Sequence, residues 1–148
     1  MTENIRGAEL LTAIFGRWPS FIDAEVLRLT LDRAPAVEGF YGPTLTAEIY
    51  TFGMTSEVGA PGAHSRRTQV VVTFRFLEVA QLQLEGLNRW NVLADLDIID
   101  IRERQLERVH YEVHLVPEGG VGASFLCNEI EVIAVRPWRV GDSLSADA

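Results

Sequence analysis

Two histidines, His110 and His114, are candidates for chemistry because imidazole nitrogens bind zinc and other transition metals. Their four-residue spacing brings two imidazoles onto one face of a helix, where a single ion can contact both. On a strand the same side chains lie about 13 Å apart, which is too far for one ion. The surrounding residues alternate between apolar and polar types, so we predict a strand and no metal site here.

Carboxylates form a second candidate, because Asp95, Asp97 and Asp100 follow one another closely. Such a row can bind a hard cation or act in acid–base catalysis. A calcium-binding loop also needs a turn glycine and a terminal glutamate at fixed positions after its first aspartate, and neither residue follows these aspartates at that spacing. We therefore predict that these aspartates, together with Glu129 and Glu131, lie on solvated faces of a sheet.

Cys127 and His64 complete the set of candidate reactive groups. Cys127 alternates with apolar neighbours, which predicts a small core residue rather than a nucleophile. As the single cysteine, it excludes an internal disulfide and a multi-cysteine zinc site. His64 belongs to no Ser-His-Asp pattern, and the sequence contains no phosphate-binding loop or nucleophile elbow. We predict no catalytic residue, no metal and no cofactor.

The charge of the chain limits its partners. Thirteen basic residues, all of them arginine, face twenty-one acidic residues, and the formal net charge is −8. Without lysine, the chain can form neither a Schiff base nor a phosphate-loop contact of the usual kind. A negative surface repels phosphate backbones, so we predict no nucleic-acid partner. On charge alone solubility is the simpler explanation, and fast encounter with a basic protein is the alternative.

The hydrophobic pattern predicts one helix followed by strands. Residues 5–15 carry apolar side chains at helical spacing, and Gly16 and Pro19 then end the helix. From Ala24 onward the period changes to two and predicts about eight short strands separated by turns. The expected fold class is α+β, with the N-terminal helix packed on a predominantly antiparallel sheet.

One predicted strand contains a break in its alternation. Asp95 and Asp97 occupy odd positions, whereas Asp100 occupies an even one. A β-bulge near Ile98 and Ile99 would return all three aspartates to the same face, because one extra residue reverses the alternation.

Residues 53–67 and 139–148 are the expected mobile segments. The first contains three glycines and a proline, which predicts a mobile hairpin connection. The second resembles a flexible tail and leaves residues 1–138 as a single domain. No apolar run approaches the roughly 20 residues that span a bilayer, and the N-terminus lacks a signal-peptide pattern. We therefore predict a cytoplasmic protein without a membrane partner.

The most unusual stretch, Trp18-Pro19-Ser20-Phe21-Ile22-Asp23-Ala24-Glu25-Val26, joins the helix to the first strand. Its two aromatic residues can hold the helix on the sheet, and we expect both to be largely buried. Ser20 or Asp23 can satisfy turn amides, or Asp23 and Glu25 can act as a carboxylate pair on one face of a strand. Since no histidine lies nearby, we favour a structural role for the motif residues Trp18, Pro19, Ser20, Phe21, Asp23 and Glu25.

This stretch closely resembles the hallmark of the bacterial immunity protein family numbered fifty, whose members are assigned to polymorphic-toxin and bacteriocin systems. The family usually has histidine where this chain has Ile22, so the motif lacks a His-Asp pair. The resemblance extends from about Leu10 to Pro137 and continues in three short segments: Asn91-Val92-Leu93-Ala94-Asp95-Leu96, Glu103-Arg104-Gln105-Leu106-Glu107 and Phe125-Leu126-Cys127-Asn128-Glu129-Ile130-Glu131-Val132.

The resemblance implies an immunity protein that binds and blocks a cognate toxin without catalysis. A basic toxin, such as a nuclease, is the expected partner, because an acidic face would steer onto it. The alternatives are a small enzyme or ligand-binding protein with a pocket under residues 53–67, and a structural domain of a larger assembly. Candidate toxin contacts are the acidic residues Asp95, Asp97, Asp100, Glu129 and Glu131.

Overall fold

The computed structural model describes residues 4–56, 65–139 and 141, and in this part of the chain one α-helix precedes eight strands. None of the helices described there has the length and apolar character needed to span a bilayer. The predicted tail falls mostly outside the described residues and stays a prediction. The bounds are α1 Glu9–Phe15, β1 Glu25–Asp32, β2 Thr44–Ser56, β3 Ser65–Leu77, β4 Ala80–Glu85, β5 Val92–Asp100, β6 Tyr111–Gly119, β7 Gly122–Cys127 and β8 Glu129–Pro137.

The eight strands form one antiparallel sheet in the order β4-β7-β6-β5-β1-β2-β3-β8, which confirms the predicted α+β class. Two very short connections join its opposite edges. β3 ends at Leu77 and β4 begins at Ala80, while only Asn128 separates β7 from β8. The Asn128 N–H also donates a 2.8 Å hydrogen bond to the Leu77 carbonyl. The two edges therefore meet at this end, and the sheet curls around its own core.

Aromatic side chains fill the inside of the curled sheet. The rings of Phe76 and Phe125, from the two opposite halves, pack edge to face with centroids 4.9 Å apart. Phe74 lies 5.9 Å from Phe76 and 5.8 Å from Phe21. Phe21 is buried, as predicted, whereas Trp18 packs on Phe21 and Phe74 but stays partly exposed. The turn before β1 is thus packed into the centre of the core.

The helix is shorter at its start than predicted, because residues preceding it pair with the sheet instead. The Arg6 N–H donates to the Ile130 carbonyl (3.1 Å), and the Arg6 carbonyl accepts the Val132 N–H (2.7 Å). α1 therefore begins at Glu9, and it ends at Gly16 in the left-handed conformation, as the sequence predicts.

The hairpin of β2 and β3 is longer than predicted. Its regular pairing continues from Gly53 opposite Thr68 to Ser56 opposite Ser65. The predicted bounds of the loop, residues 53–67, are therefore wrong at both ends. The reason is that backbone hydrogen bonds between paired strands do not require apolar side chains, so the pairing extends through glycine and polar residues as well. His64 and the rest of residues 57–64 lie outside the described residues, and a ligand pocket beneath them stays a prediction.

The predicted bulge in β5 is also wrong in its position. Pairing with β6 is continuous through Ile98 and Ile99, and the register shifts lie at the beginning of β5. Asp95 and Asp97 consequently share the exposed face with Ile99, which is 40% exposed, whereas Asp100 lies on the opposite face. Exposing one isoleucine costs less than disrupting the ladder, because a bulge leaves a residue unpaired.

We expect Phe21→Ala to lower the free energy of unfolding by about 3–5 kcal/mol, because truncating a buried ring leaves a cavity among the aromatic residues. Ile22→Ala is the matched control, since the neighbouring side chain is 60% exposed and its truncation should cost about 0.5 kcal/mol or less. Trp18→Ala should fall between the two. Chemical denaturation measures all three variants, and a loss below about 1 kcal/mol for Phe21→Ala would contradict this packing.

Candidate functional site

A cleft of about 440 Å³ lies where three segments meet: the turn before β1, the start of β5 and the end of β6. The turn is fastened to β5 by two hydrogen bonds, from the Asp23 N–H to the Leu93 carbonyl (2.9 Å) and from the Leu93 N–H to the Ala24 carbonyl (2.8 Å). The lining residues, which define what we call the Trp90 cleft, are Asp23, Tyr50, Phe52, Trp90, Val92, Glu118 and Gly119.

Two carboxylates, Asp23 and Glu118, contact each other in the Trp90 cleft. The hydrogen bond to Asp23 raises the pKa of Glu118, and the negative charge of Asp23 raises it further, because a shared bond between carboxyl groups needs a proton. Both residues are exposed, and among the described residues neither takes part in a salt bridge. The pair is therefore open to a cation from outside the chain.

The turn residues place the Asp23 carboxylate in the cleft. Ser20 Oγ accepts the Ile22 N–H (3.2 Å), and Asp23 adopts a left-handed conformation with φ 65°. Aspartate and asparagine tolerate this conformation better than most residues. The alternative of an Asp23–Glu25 pair is replaced by the contact between Asp23 and Glu118, while Glu25 is 3% exposed at the start of β1.

Three aromatic side chains, Trp90, Tyr50 and Phe52, line the cleft together with the two carboxylates. Trp90 is 54% exposed, although tryptophan usually buries most of its surface. Tyr50 is buried, packs 5.9 Å from Phe52 and donates its hydroxyl to Gln69 Oε1 (2.7 Å). The cleft thus combines an exposed ring, two further rings and two carboxylates, a set that suits a cation with an apolar stem.

Asn91 holds the loop that carries Trp90. Its side-chain oxygen accepts the N–H groups of Asn88 (2.9 Å) and Val121 (3.0 Å), and its Nδ2 donates to the Asn88 carbonyl (2.7 Å). The Asn91 carbonyl also accepts the Val26 N–H (2.8 Å). At Gly120, with φ 89°, a Cβ would lie 2.4 Å from the Trp90 carbonyl oxygen, so only glycine allows this close approach.

The sequence patterns did not identify Glu118 or Trp90 as site residues, and Asn91 appeared only within a short segment of the family resemblance. An asparagine followed by alternating apolar residues, and a tryptophan in a polar turn, were the available signals. No local sequence pattern identifies Glu118 as the partner of Asp23, because the two residues come together only when β6 lies beside β5 in the sheet.

The predicted acidic candidates fall into two groups. Asp95 and Asp97 are exposed on β5, where a hydrogen bond to Asp95 raises the pKa of Asp97. His114, their neighbour on β6, faces Asp97 in the register. Asp100 accepts the Arg102 N–H (2.9 Å) at the end of its strand. A toxin contact for Asp95, Asp97 and Asp100 stays a prediction.

Glu131 does not lie on a solvated face, so that prediction is wrong. Its side chain is buried and bonded to Arg75 Nε at 2.8 Å, because the segment before α1 covers this edge of β8. Arg6 spans Glu129 and Glu131 at 3.0 and 3.6 Å. Both glutamates are thus already bound to arginines of this chain.

The remaining reactive groups have separate surroundings. His110 Nδ1 lies 3.0 Å from the Asn128 carbonyl oxygen, whereas His114 Nε2 lies 3.2 Å from Glu112 Oε2. Burial raises the pKa of the Cys127 thiol well above its usual range. Within residues 4–56, 65–139 and 141, histidine, cysteine, aspartate and glutamate form no group of three or more that could hold a metal ion.

A second depression, of about 600 Å³, lies along β4, β6 and β7. Its described lining residues include Glu85 and His114 but no phenylalanine, tyrosine or tryptophan. The Trp90 cleft is therefore the better candidate site, because two carboxylates in contact and three aromatic side chains line it.

In a comparison with protein families, residues 7–138 match the model described as Immunity protein 50. Comparisons with curated proteins and with solved structures gave no match. The matched range contains every residue that lines the Trp90 cleft.

We expect Asn91→Ala to lower the free energy of unfolding by about 1–3 kcal/mol, because it leaves the buried Val121 N–H without its acceptor. Asn88→Ala is the control, since the Asn88 side chain is exposed and bonds only to the adjacent Arg89 N–H. Urea denaturation compares the variants. Equal losses would show that the Asn91 side chain does not hold the loop.

Carboxyl NMR should show Glu118 titrating above its ordinary pKa in the wild-type protein and close to it in Asp23→Asn, which removes the neighbouring charge. A raised pKa in the folded state means that this proton stabilises the fold at low pH and that the contribution disappears as pH rises. An unchanged Glu118 titration in Asp23→Asn would contradict the direct contact.

Proposed function

Because the chain belongs to the Immunity protein 50 family, we propose that it protects its producer by binding and neutralising a cognate bacterial toxin. The match over residues 7–138 carries this proposal. Members of an immunity family generally act by binding, so the mechanism we propose is protein–protein inhibition, with no reaction catalysed by this chain. The encounter would take place in the cytoplasm.

The charge of the surface supports a basic toxin as the partner. With a net charge of −8, the protein attracts a positive surface and accelerates diffusional encounter. The same charge disfavours nucleic acid, whose backbone is also negative. Asp95 and Asp97, exposed on β5, are suited to this steering role.

Exposed apolar residues support a protein surface as the target. Leu87 is 63% exposed and Trp90 is 54% exposed in the loop before β5, and Ile22 is 60% exposed in the turn before β1. Interfaces concentrate their binding energy in a few such anchors, surrounded by polar groups. We expect a complex that buries roughly 1,200–2,000 Å² in total.

Co-expression with a candidate toxin encoded by a neighbouring gene tests the proposal. Cells should survive when the wild-type protein is present, and the two purified proteins should form a stoichiometric complex. Continued killing in the presence of well-folded protein would overturn the immunity function.

Neutralising exposed charge should slow association without altering the fold. We expect Asp95→Asn with Asp97→Asn to reduce the association rate, most at low salt, because salt screens exposed charges. The melting temperature should stay close to that of the wild type. Stopped-flow kinetics at two salt concentrations measures the effect, and a salt-independent association rate would contradict electrostatic steering.

A further inference from the structure

Among the described residues, Asp23 and Glu118 in the Trp90 cleft form no salt bridge with an arginine, unlike Glu78, Glu129 and Glu131. Arg6 spans Glu129 and Glu131, and Arg75 bonds to the buried Glu131. Asp23 and Glu118 instead share a hydrogen bond with each other. Two carboxylates in contact repel unless a proton or a cation lies between them.

The protein itself shows how such a site binds a guanidinium group. Arg108 donates through Nε to Glu78 Oε1 at 2.8 Å and through a second nitrogen to Glu78 Oε2. The Tyr41 ring covers the same guanidinium, with its centroid 4.9 Å from Cζ. A carboxylate and an aromatic ring thus bind one arginine from two sides, which matches the planar, charged shape of that group.

The described residues that line the Trp90 cleft include the same kinds of partner, carboxylates and an aromatic ring. Asp23 and Glu118 supply the carboxylates, and Trp90 supplies the largest and most exposed ring. Tryptophan is the best of the aromatic side chains for cation–π contact. A volume of about 440 Å³ lies within the range of roughly 300–1,000 Å³ usual for ligand sites, so one long side chain can enter.

We propose that the Trp90 cleft binds one arginine side chain projecting from the toxin, with its guanidinium between Asp23 and Glu118 and against the Trp90 ring. This rests on the proposed function, because it names the contact through which the toxin is bound. Arginine fits better than lysine, since its planar fork can bond to carboxylate oxygens while its face stacks on a ring.

The position of the cleft favours a preformed site. Asn91 fixes the Trp90 loop through three side-chain hydrogen bonds, and the Asp23 N–H is bonded to β5. An anchor site that is already ordered loses little conformational entropy on binding. Ile22, which precedes Asp23 in the chain and is 60% exposed, can then help to exclude water around the arginine.

The test compares two doubly neutralised variants in binding kinetics with the toxin. Asp23→Asn with Glu118→Gln removes the cleft carboxylates, and asparagine suits the left-handed turn position. Glu103→Gln with Glu107→Gln is the matched control, because it removes two charges from exposed residues outside both the Trp90 cleft and the predicted toxin contacts. Circular dichroism and melting curves establish that both variants are folded.

The cleft variant should dissociate about 10- to 100-fold faster, because charge-assisted hydrogen bonds to the arginine are lost. The control should associate more slowly and dissociate at the wild-type rate. Trp90→Ala should also accelerate dissociation, and Trp90→Phe should recover part of the loss. If the two double variants changed the binding kinetics equally, net charge alone would explain the effect of the cleft carboxylates, and the proposal would be overturned.

Substitution on the toxin identifies the arginine. Each surface arginine of the toxin is changed to alanine, and binding to wild-type protein and to Glu118→Gln is compared in a double-mutant cycle. One arginine should lose its effect in the Glu118→Gln background. If wild-type protein neutralises the toxin but no arginine shows this coupling, the cleft proposal fails while immunity stands. If wild-type protein neither binds nor protects, the proposed function itself fails.

Discussion

The packing of Phe76 against Phe125 joins strands that stand far apart in the order of the sheet. β3 lies beside one edge and β7 beside the other, so their rings can meet only if the sheet curls. The short connections at Leu77–Ala80 and at Asn128 impose this curl, because they leave no length of chain to span an open sheet. A core enclosed on two sides by the same sheet is the result, and a single short helix is sufficient to complete it.

The curl also decides where polar groups can be placed. Close to the core, Glu131 is acceptable because Arg75 bonds to it and Arg6 approaches it, and buried charges without such partners are costly. At the Trp90 cleft the constraint is different, because Asp23 and Glu118 remain in solvent, where their contact raises the pKa of Glu118 without burying either group. The same chain therefore contains carboxylates bound to its own arginines and carboxylates available to another molecule.

The motif before β1 contributes to both stability and the site. Phe21 points into the aromatic core, while two residues later Asp23 turns outward in a left-handed conformation. This change of direction requires the backbone to leave the strand conformation, and the Ser20 hydroxyl supports the turn by accepting the Ile22 N–H. A structural role and a binding role are thus held by neighbouring residues, so variants at Phe21 and Asp23 separate stability from binding.

What the sequence alone determined was local. Alternation of apolar residues identified the strands, helical spacing and Gly16 identified the helix, and the motif from Trp18 to Val26 identified the family. Each of these signals depends on a residue and its near neighbours. The tertiary structure decided the contact between Asp23 and Glu118, the burial of Glu131 and the exposure of Trp90. These depend on strand order, register and curl, which bring together residues distant in the chain, and periodicity along one strand does not specify its neighbour.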